Sequence, residues 1–433
     1  MMPIITALQR NHCVASITLA LTLLVAPAPL SGQDLDGVKM VRPDAEGERY
    51  WPRWRGPSGQ GVVTDTDYPD TWTETTNVLW KTEVPGRGHS SPIVWDDRIF
   101  LTTSRNRGRQ VSILSFRRSD GQLLWEADAP AGQAEYVHNK NSPAAATATT
   151  DGERVYASFG SRGMLAVDFA GNLIWHRDLG RIDNYHGPAG SPLLYQDSVI
   201  IYQDQSGSAF VTALDARTGQ IRWRTEREAR VGWGTPIAIT VGDHDELIVS
   251  SQRLVQSYDP VTGDELWRCD GMLREVIPTP VVGHGLVFCA SGRAGPTLAI
   301  RPGGQGDVTQ THLEWKTTRG SPFVPSPVIY GDYLYQVNDM SSIITCLNAK
   351  TGETVWQERL GRPRREGISA SPVIVDDKLF VTNDEGQTFV LRTGPNFEIL
   401  HINDIGARTL ASPALVDGIW YMRTSRELIA IGN

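Results

Sequence analysis

Cationic and aromatic side chains recur in this sequence just ahead of a repeated Ser-Pro or Thr-Pro pair, and chemistry could be built from that pattern. Arg87 and His89, His138 and Lys140, Tyr185 and His186, Trp233, Arg274, Arg319, Arg365 and Arg408 all fall there. Arginine forks suit carboxylates, and indole or phenol faces suit stacking and cation–π contacts. Gathered around one low-dielectric opening, such residues would focus positive potential and bind an anionic or polar ligand. A carboxylate-rich cofactor, an acidic glycan or an acidic segment of a partner protein would each qualify. The competing reading is a set of solvated loops whose cations pair with Glu135, Asp183, Glu275 or Glu366.

Catalytic templates are scarce. The sequence has no G-x-S-x-G elbow, no H-E-x-x-H helix and no phosphate-binding G-x-x-x-x-G-K loop. Ser91 follows His89 closely, but it opens a strand at a position repeated along the chain and so reads as structural. His138, His186 and Asp183 could share a metal, although no local spacing motif supports it. No carboxylate pair can be placed for glycoside hydrolysis. No catalytic residue and no metal ligand is therefore assigned.

These residues must be positioned by repeats. Prolines of the Ser-Pro or Thr-Pro pairs stand at Pro92, Pro143, Pro192, Pro236, Pro280, Pro327, Pro372 and Pro413, spaced 41 to 51 residues apart. Each pair leads an apolar run, a turn such as Asp96-Asp97 or Gly331-Asp332, and a second β-rich run. The second half of the unit is a hairpin ending on tryptophan. Asp215, Asp259 and Asn348 each stand eight residues before Trp223, Trp267 and Trp356, with a glycine between to supply the φ > 0 of a tight turn. Trp80, Trp125, Trp175 and Trp315 share the place, and Leu400 takes it in one repeat. These seven tryptophans read as docking residues between units, not as a stacking platform. The segment Arg301 to Thr311 reads as a long rim hairpin in the fifth repeat.

Four strands at this period predict β-propeller blades, and hence an all-β, eight-bladed propeller with four antiparallel strands per blade. The last repeat ends after its third strand, Glu427 to Ile431, whereas Asn77 to Val84 carries Trp80 with no Ser-Pro strand before it. The N-terminal strand is therefore expected to close the last blade, leaving no open sheet edge at the seam.

The frame Ala213-Leu214-Asp215-Ala216-Arg217-Thr218-Gly219-Gln220-Ile221-Arg222-Trp223 resembles the tryptophan-docking repeat of the pyrroloquinoline-quinone (PQQ)-type propellers. Trp51-Pro52-Arg53-Trp54-Arg55-Gly56-Pro57 and Gly86-Arg87-Gly88-His89-Ser90-Ser91-Pro92 are similar to segments of exported bacterial PQQ-binding-like repeat proteins. These are related in architecture to the outer-membrane assembly factor BamB and to quinoprotein alcohol dehydrogenases. The resemblance covers residues 51 to 433 and implies an eight-bladed propeller. In the dehydrogenases it would also imply PQQ near the axis with calcium, an acidic base and an adjacent cysteine pair. This chain has no adjacent cysteines, and no motif places the base or the calcium ligands.

The rest of the composition sets the context. The chain has 433 residues, 42 of them Gly and 26 Pro, which suits many turns. Residues 1–32 read as a signal peptide, with Arg10 ahead of an apolar run from Cys13 to Val25 that is too short to cross a bilayer. Cys13 stands at the start of that run, ahead of its apolar core, where a lipoprotein cysteine would follow it. Residues 33–76 are expected to form an N-terminal extension and 77–433 the propeller. Forty-one basic against 49 acidic residues give a net charge of −8, which argues against a nucleic-acid binder. Cys269, Cys289 and Cys346 read as small buried residues. The expected protein is an exported, periplasmic or secreted monomer without a membrane anchor. It is expected to be a non-catalytic binding or scaffold module with a basic channel mouth for a partner protein, an anionic small molecule or a glycan. The alternative is a PQQ-dependent oxidoreductase acting on alcohols or sugars.

Overall fold

A computed structural model describes Met1 and residues 37–65, 67–361 and 367–433. The expected signal peptide and Arg365 lie outside the described residues. Eight sheets, each built on four antiparallel strands, form the blades of a propeller; two of them carry added strands at their edges. The third blade shows the pattern: Leu193–Tyr195 innermost, then Ser198–Gln203, Ala209–Asp215 and Ile221–Arg227, all antiparallel. Because strands alternate in direction, the connectors between blades and the turns between second and third strands open on the same face.

Local chemistry fixes each hairpin. Asp215 Oδ1 accepts the backbone N–H groups of Arg217 and Thr218 at 3.0 and 2.9 Å, the turn that aspartate favours. Gly219 follows at φ 66°. A Cβ there would lie 2.6 Å from the indole of Trp175, so the glycine is required both by backbone conformation and by the tryptophan lying on it. Trp175 Nε1 donates to Ala216 O of the next blade at 2.9 Å. The same bond to the next blade is made by Trp80, Trp125, Trp223, Trp315 and Trp356. Trp267 differs, donating to Glu246 Oε2 at 2.7 Å within its own blade. Its neighbouring hairpin is the long 301–312 segment, whose Gly306–Asp307 strand pairs in parallel with Glu265–Asp270, so no tight glycine turn faces this indole.

The core is a series of layers between blades. Ile93, Phe100 and Ile113 of the first blade pack with Val155 and Leu165 of the second, and Val281, Phe288 and Ala299 of the fifth with Ile329 and Leu334 of the sixth. Cys269, Cys289 and Cys346 are buried free thiols.

Strand Val78–Glu83 completes the last blade, with Trp80 opposite Ala430 and Lys81 opposite Ile429. Arg423, fully buried in that blade, spans the seam. Its Nη1 donates to Ser90 O (3.2 Å), Ser90 Oγ (2.7 Å) and Thr102 O (2.9 Å) of the first blade.

The second repeat departs from the expected frame. Its innermost strand is Thr149–Thr150, so Thr147-Ala148 occupies the place expected of Ser142-Pro143. Ser142 and Pro143 lie in a longer connector, where Ser142 Oγ donates to Arg87 O and Ala144 O accepts the N–H groups of His89 and Ser90.

Residues 38–63 cross the inside of the ring. Val38–Met40 pairs with Ile237–Val241 of the fourth blade, Trp51 bridges Val94 of the first, and Pro52 O accepts Thr150 N of the second. Gln60 Oε1 accepts Val282 N of the fifth, and Val62–Val63 runs parallel to Val373–Val375 of the seventh. Trp51 is buried against Gly56, and Arg53 ties the segment to itself through Val41 O and Pro57 O, both at 2.7 Å.

Candidate functional site

The residue that opens each innermost strand faces the axis. Ser91, Thr147, Ser191, Thr235, Thr279, Ser326, Ser371 and Ser412 form a ring of hydroxyls, one from each blade, and all line a single cavity of about 440 Å³. Backbone N–H groups link the blades through these hydroxyls. Ser91 N donates to Thr147 Oγ1 (2.9 Å), Thr147 N to Ser191 Oγ (3.0 Å) and Ser191 N to Thr235 Oγ1 (3.3 Å). Thr279 N, Ser326 N and Ser371 N do the same to Ser326, Ser371 and Ser412, each at 2.9 Å. Trp54 of the crossing segment lines the cavity and donates from Nε1 to Thr279 Oγ1 at 3.1 Å, so the channel becomes a funnel with a floor.

Of the residues expected at the mouth, His89, His138, Lys140, His186 and Trp233 line this funnel. Trp233 is buried and held by Nε1 donating to Gly187 O at 3.0 Å, and the His138 and His186 rings meet edge to face at 4.8 Å. Arg87 is a strut: its Nη2 donates to Asn139 O (2.7 Å) and Asn141 O (2.8 Å), fixing the loop that presents His138 and Lys140. Tyr185 stands on the rim, its ring 4.5 Å from His186 and its hydroxyl 3.3 Å from Glu275 Oε1. Arg274, Arg319 and Arg408 are exposed and outside the cavity lining.

Sequence reasoning missed Trp54, Phe323, Arg293, Asp339 and Met340, which also line the funnel. Arg293 pairs with Glu275 and lies 5.4 Å over the Phe323 ring. Arg293 and Asp339 both sit on turns between second and third strands, which open on the same face as the connectors. That parity was the available signal.

Burial sets the charge states. The His89 imidazole is pushed down to about 3 by desolvation, then by Arg423, Arg87 and Arg408, so it is neutral at pH 7. Desolvation, then His138, also lowers His186. Lys140 and Arg293 bring the cationic side chains that are charged at any ordinary pH to the funnel lining. Desolvation raises Asp339 to about 6, and Asp384 likewise to about 6. A carboxyl raised in the folded state binds more protons folded than unfolded between its two values, so its contribution falls as pH rises from about 4 to about 6. Asp339→Asn is thus expected to stabilise the protein by about 3 kcal/mol at pH 7.5, with the difference vanishing near pH 4. Urea unfolding at the two pH values checks this. A loss of stability at pH 7.5 would show that the ionised carboxylate is held by Lys140 and the surrounding N–H groups.

The fold and its floored, hydroxyl-ringed funnel define a tryptophan-docked, eight-bladed β-propeller with a ligand-sized axial cavity. The model of the family described as "Outer membrane protein assembly factor BamB" matches residues 31–211 and 207–431, and the chain belongs to that family. The outer membrane protein assembly factor BamB of Yersinia pestis is 25% identical over 224 residues, 48% of this chain and 50% of that protein. The chain thus spans about half the length of this curated relative. The crystal structure of BamB from Moraxella catarrhalis superposes with a TM-score of 0.61 at 14% identity, covering 82% of this chain and 97% of that one. A europium-containing methanol dehydrogenase superposes at 0.60 with 11% identity, covering 90% of each chain. At such identities these structures speak for the fold alone.

The dehydrogenase branch of this fold raises the question of a quinone with calcium. Asp339 is the sole carboxylate residue lining the funnel among the described residues, and its carboxyl is partly protonated near pH 6. No three His, Cys, Asp or Glu side chains gather there as metal ligands among the described residues. Calcium needs six to eight oxygen ligands, several of them charged. The residues present do not fit that group.

Proposed function

We infer that the protein is a periplasmic or secreted binding propeller that receives an apolar, acidic segment of a partner protein at the funnel mouth. The observation that carries this is the rim. Met340, 69% exposed, lines the funnel with Lys140 and Arg293, and the exposed Tyr136 (71%), Tyr185 and Leu273 lie on connectors that open on the same face. Exposed apolar side chains set around a concave basic site are what a protein-binding surface presents. The name of the family, an assembly factor, agrees with a partner protein. The basic connectors Arg87, Arg274, Arg319 and Arg408 would steer an acidic segment inward.

A photo-reactive residue placed at Tyr185 or Met340 is expected to crosslink one discrete envelope protein in the native host. The same residue at Val261, an exposed position on an outer hairpin turn, is expected to give none. Absence of a mouth-specific adduct would overturn the reading. So would dye reduction with alcohols after addition of PQQ and calcium.

A further inference from the structure

The hydroxyl ring has an unused half. In six of the eight blade junctions a ring hydroxyl accepts a backbone N–H, and Thr279 also accepts the Trp54 indole. None of the eight donates to a protein acceptor among the described residues. Ser91 goes further: its Oγ is buried, the residue is 2% exposed, and the oxygen has no hydrogen-bond partner at all. A hydroxyl has one O–H to give in addition to its lone pairs. The floor of the funnel therefore carries a ring of hydroxyls whose O–H groups no protein acceptor takes among the described residues, with their acceptor capacity already partly used by the blades.

Three facts decide what such a ring would take. First, the crossing segment and Trp54 close the channel, so a chain cannot thread through, and what reaches the floor is a chain end or a side-chain tip. Second, a ring of donors complements an oxyanion, and hydrogen bonds to an ionised acceptor are about twice as strong as neutral ones. Third, Lys140 and Arg293 share the cavity and repel an ammonium group, while Trp233, Ile277 and Phe323 offer apolar wall. We propose that the funnel floor is a subsite for the C-terminal carboxylate of an extended peptide with an apolar last residue, inserted carboxylate first. The rim of Tyr136, Leu273 and Met340 would then hold the residues that precede it.

The proposal rests on the partner-binding reading above, and the two can fail separately. Three acetylated pentapeptides serve as probes: one ending in phenylalanine with a free carboxylate, the same peptide amidated, and an amidated peptide with a glutamate in place of the terminal residue. Binding to the purified protein is followed by tryptophan fluorescence. The free-acid peptide is expected to bind, and amidation to weaken it by about tenfold or more. Ser91→Ala is expected to weaken the free acid by about tenfold, leave the amide unchanged and leave the melting temperature unchanged, because Ser91 Oγ holds no protein group. Thr147→Val, by contrast, removes the acceptor of Ser91 N and should lower the melting temperature. Equal binding of acid and amide, or no binding by either, overturns the subsite. Preference for the glutamate amide over the free acid also overturns it, assigning the floor to a side chain. A mouth-specific crosslink alongside either result would leave the partner-binding reading standing.

Discussion

Replacing Arg423 with alanine is expected to destabilise the protein by about 3 to 5 kcal/mol, because truncating a buried residue that satisfies several groups adds a cavity to unpaired acceptors. The side chain is fully buried and desolvation lowers its pKa to about 9, so it is costly to keep where it is. What it does there is join the two ends of the ring: Ser90 O, Ser90 Oγ and Thr102 O of the first blade all accept from its Nη1. With alanine, Ser90 O and Thr102 O lose this donor inside a closed seam. Gly88 is part of the same arrangement, since a Cβ there would collide with the guanidinium. Urea denaturation of the variant measures the loss. A change below about 0.5 kcal/mol would place Arg423 with ordinary surface positions and assign closure to strand Val78–Glu83 alone.

The second large effect is expected at the tryptophan contacts between blades. Trp175→Ala should cost about 3 to 5 kcal/mol, the range for truncating a buried tryptophan. Trp175 is 7% exposed, packs 6.0 Å from the Tyr156 ring and donates to Ala216 O. Its partner surface is Gly219, so Gly219→Ala should reproduce part of the loss from the other side, about 1 to 3 kcal/mol, by driving a methyl into the indole. If the two changes combined cost no more than Trp175→Ala alone, they act on one contact. Full additivity would show that the indole and the glycine turn act independently.

The tryptophans explain why so much of the fold was legible. Trp80, Trp125, Trp175, Trp223 and Trp315 each lie on a glycine turn that leaves no room for a Cβ, so residue type and spacing carry the geometry directly, and the Trp80 strand without a blade of its own pointed to closure. The second repeat was misaligned because Ala148 replaces proline after Thr147, leaving Ser142-Pro143 as the stronger local pattern. The site was legible in part. His89, His138, Lys140, His186 and Trp233 line the funnel because connectors must return to the axis. Arg274, Arg319 and Arg408 share that sequence position but not that exposure to the cavity, since connector length and turn geometry decide where a long side chain ends. Charge was overstated for the histidines, because burial holds His89 neutral. The hydroxyls were read as structural, and they are; that the same oxygens also present unused O–H groups depends on three-dimensional convergence that no linear spacing contains.

The pairing of residue 80 with residue 430 sets an order of assembly. During synthesis the strand around Trp80 emerges before seven blades have been made, and its sheet partners are the last to appear. Until then the nascent chain carries an unmatched β-strand at one end and a growing stack with an exposed edge at the other. Every earlier blade can settle against its neighbour through nearby sequence, but the final contact is as non-local as this chain allows, and such contacts are slow to form. Exposed strand edges are also where chains pair wrongly with one another. Ring completion is therefore a single terminal event, and loss of either strand Val78–Glu83 or strand Glu427–Ile431 disrupts the same blade.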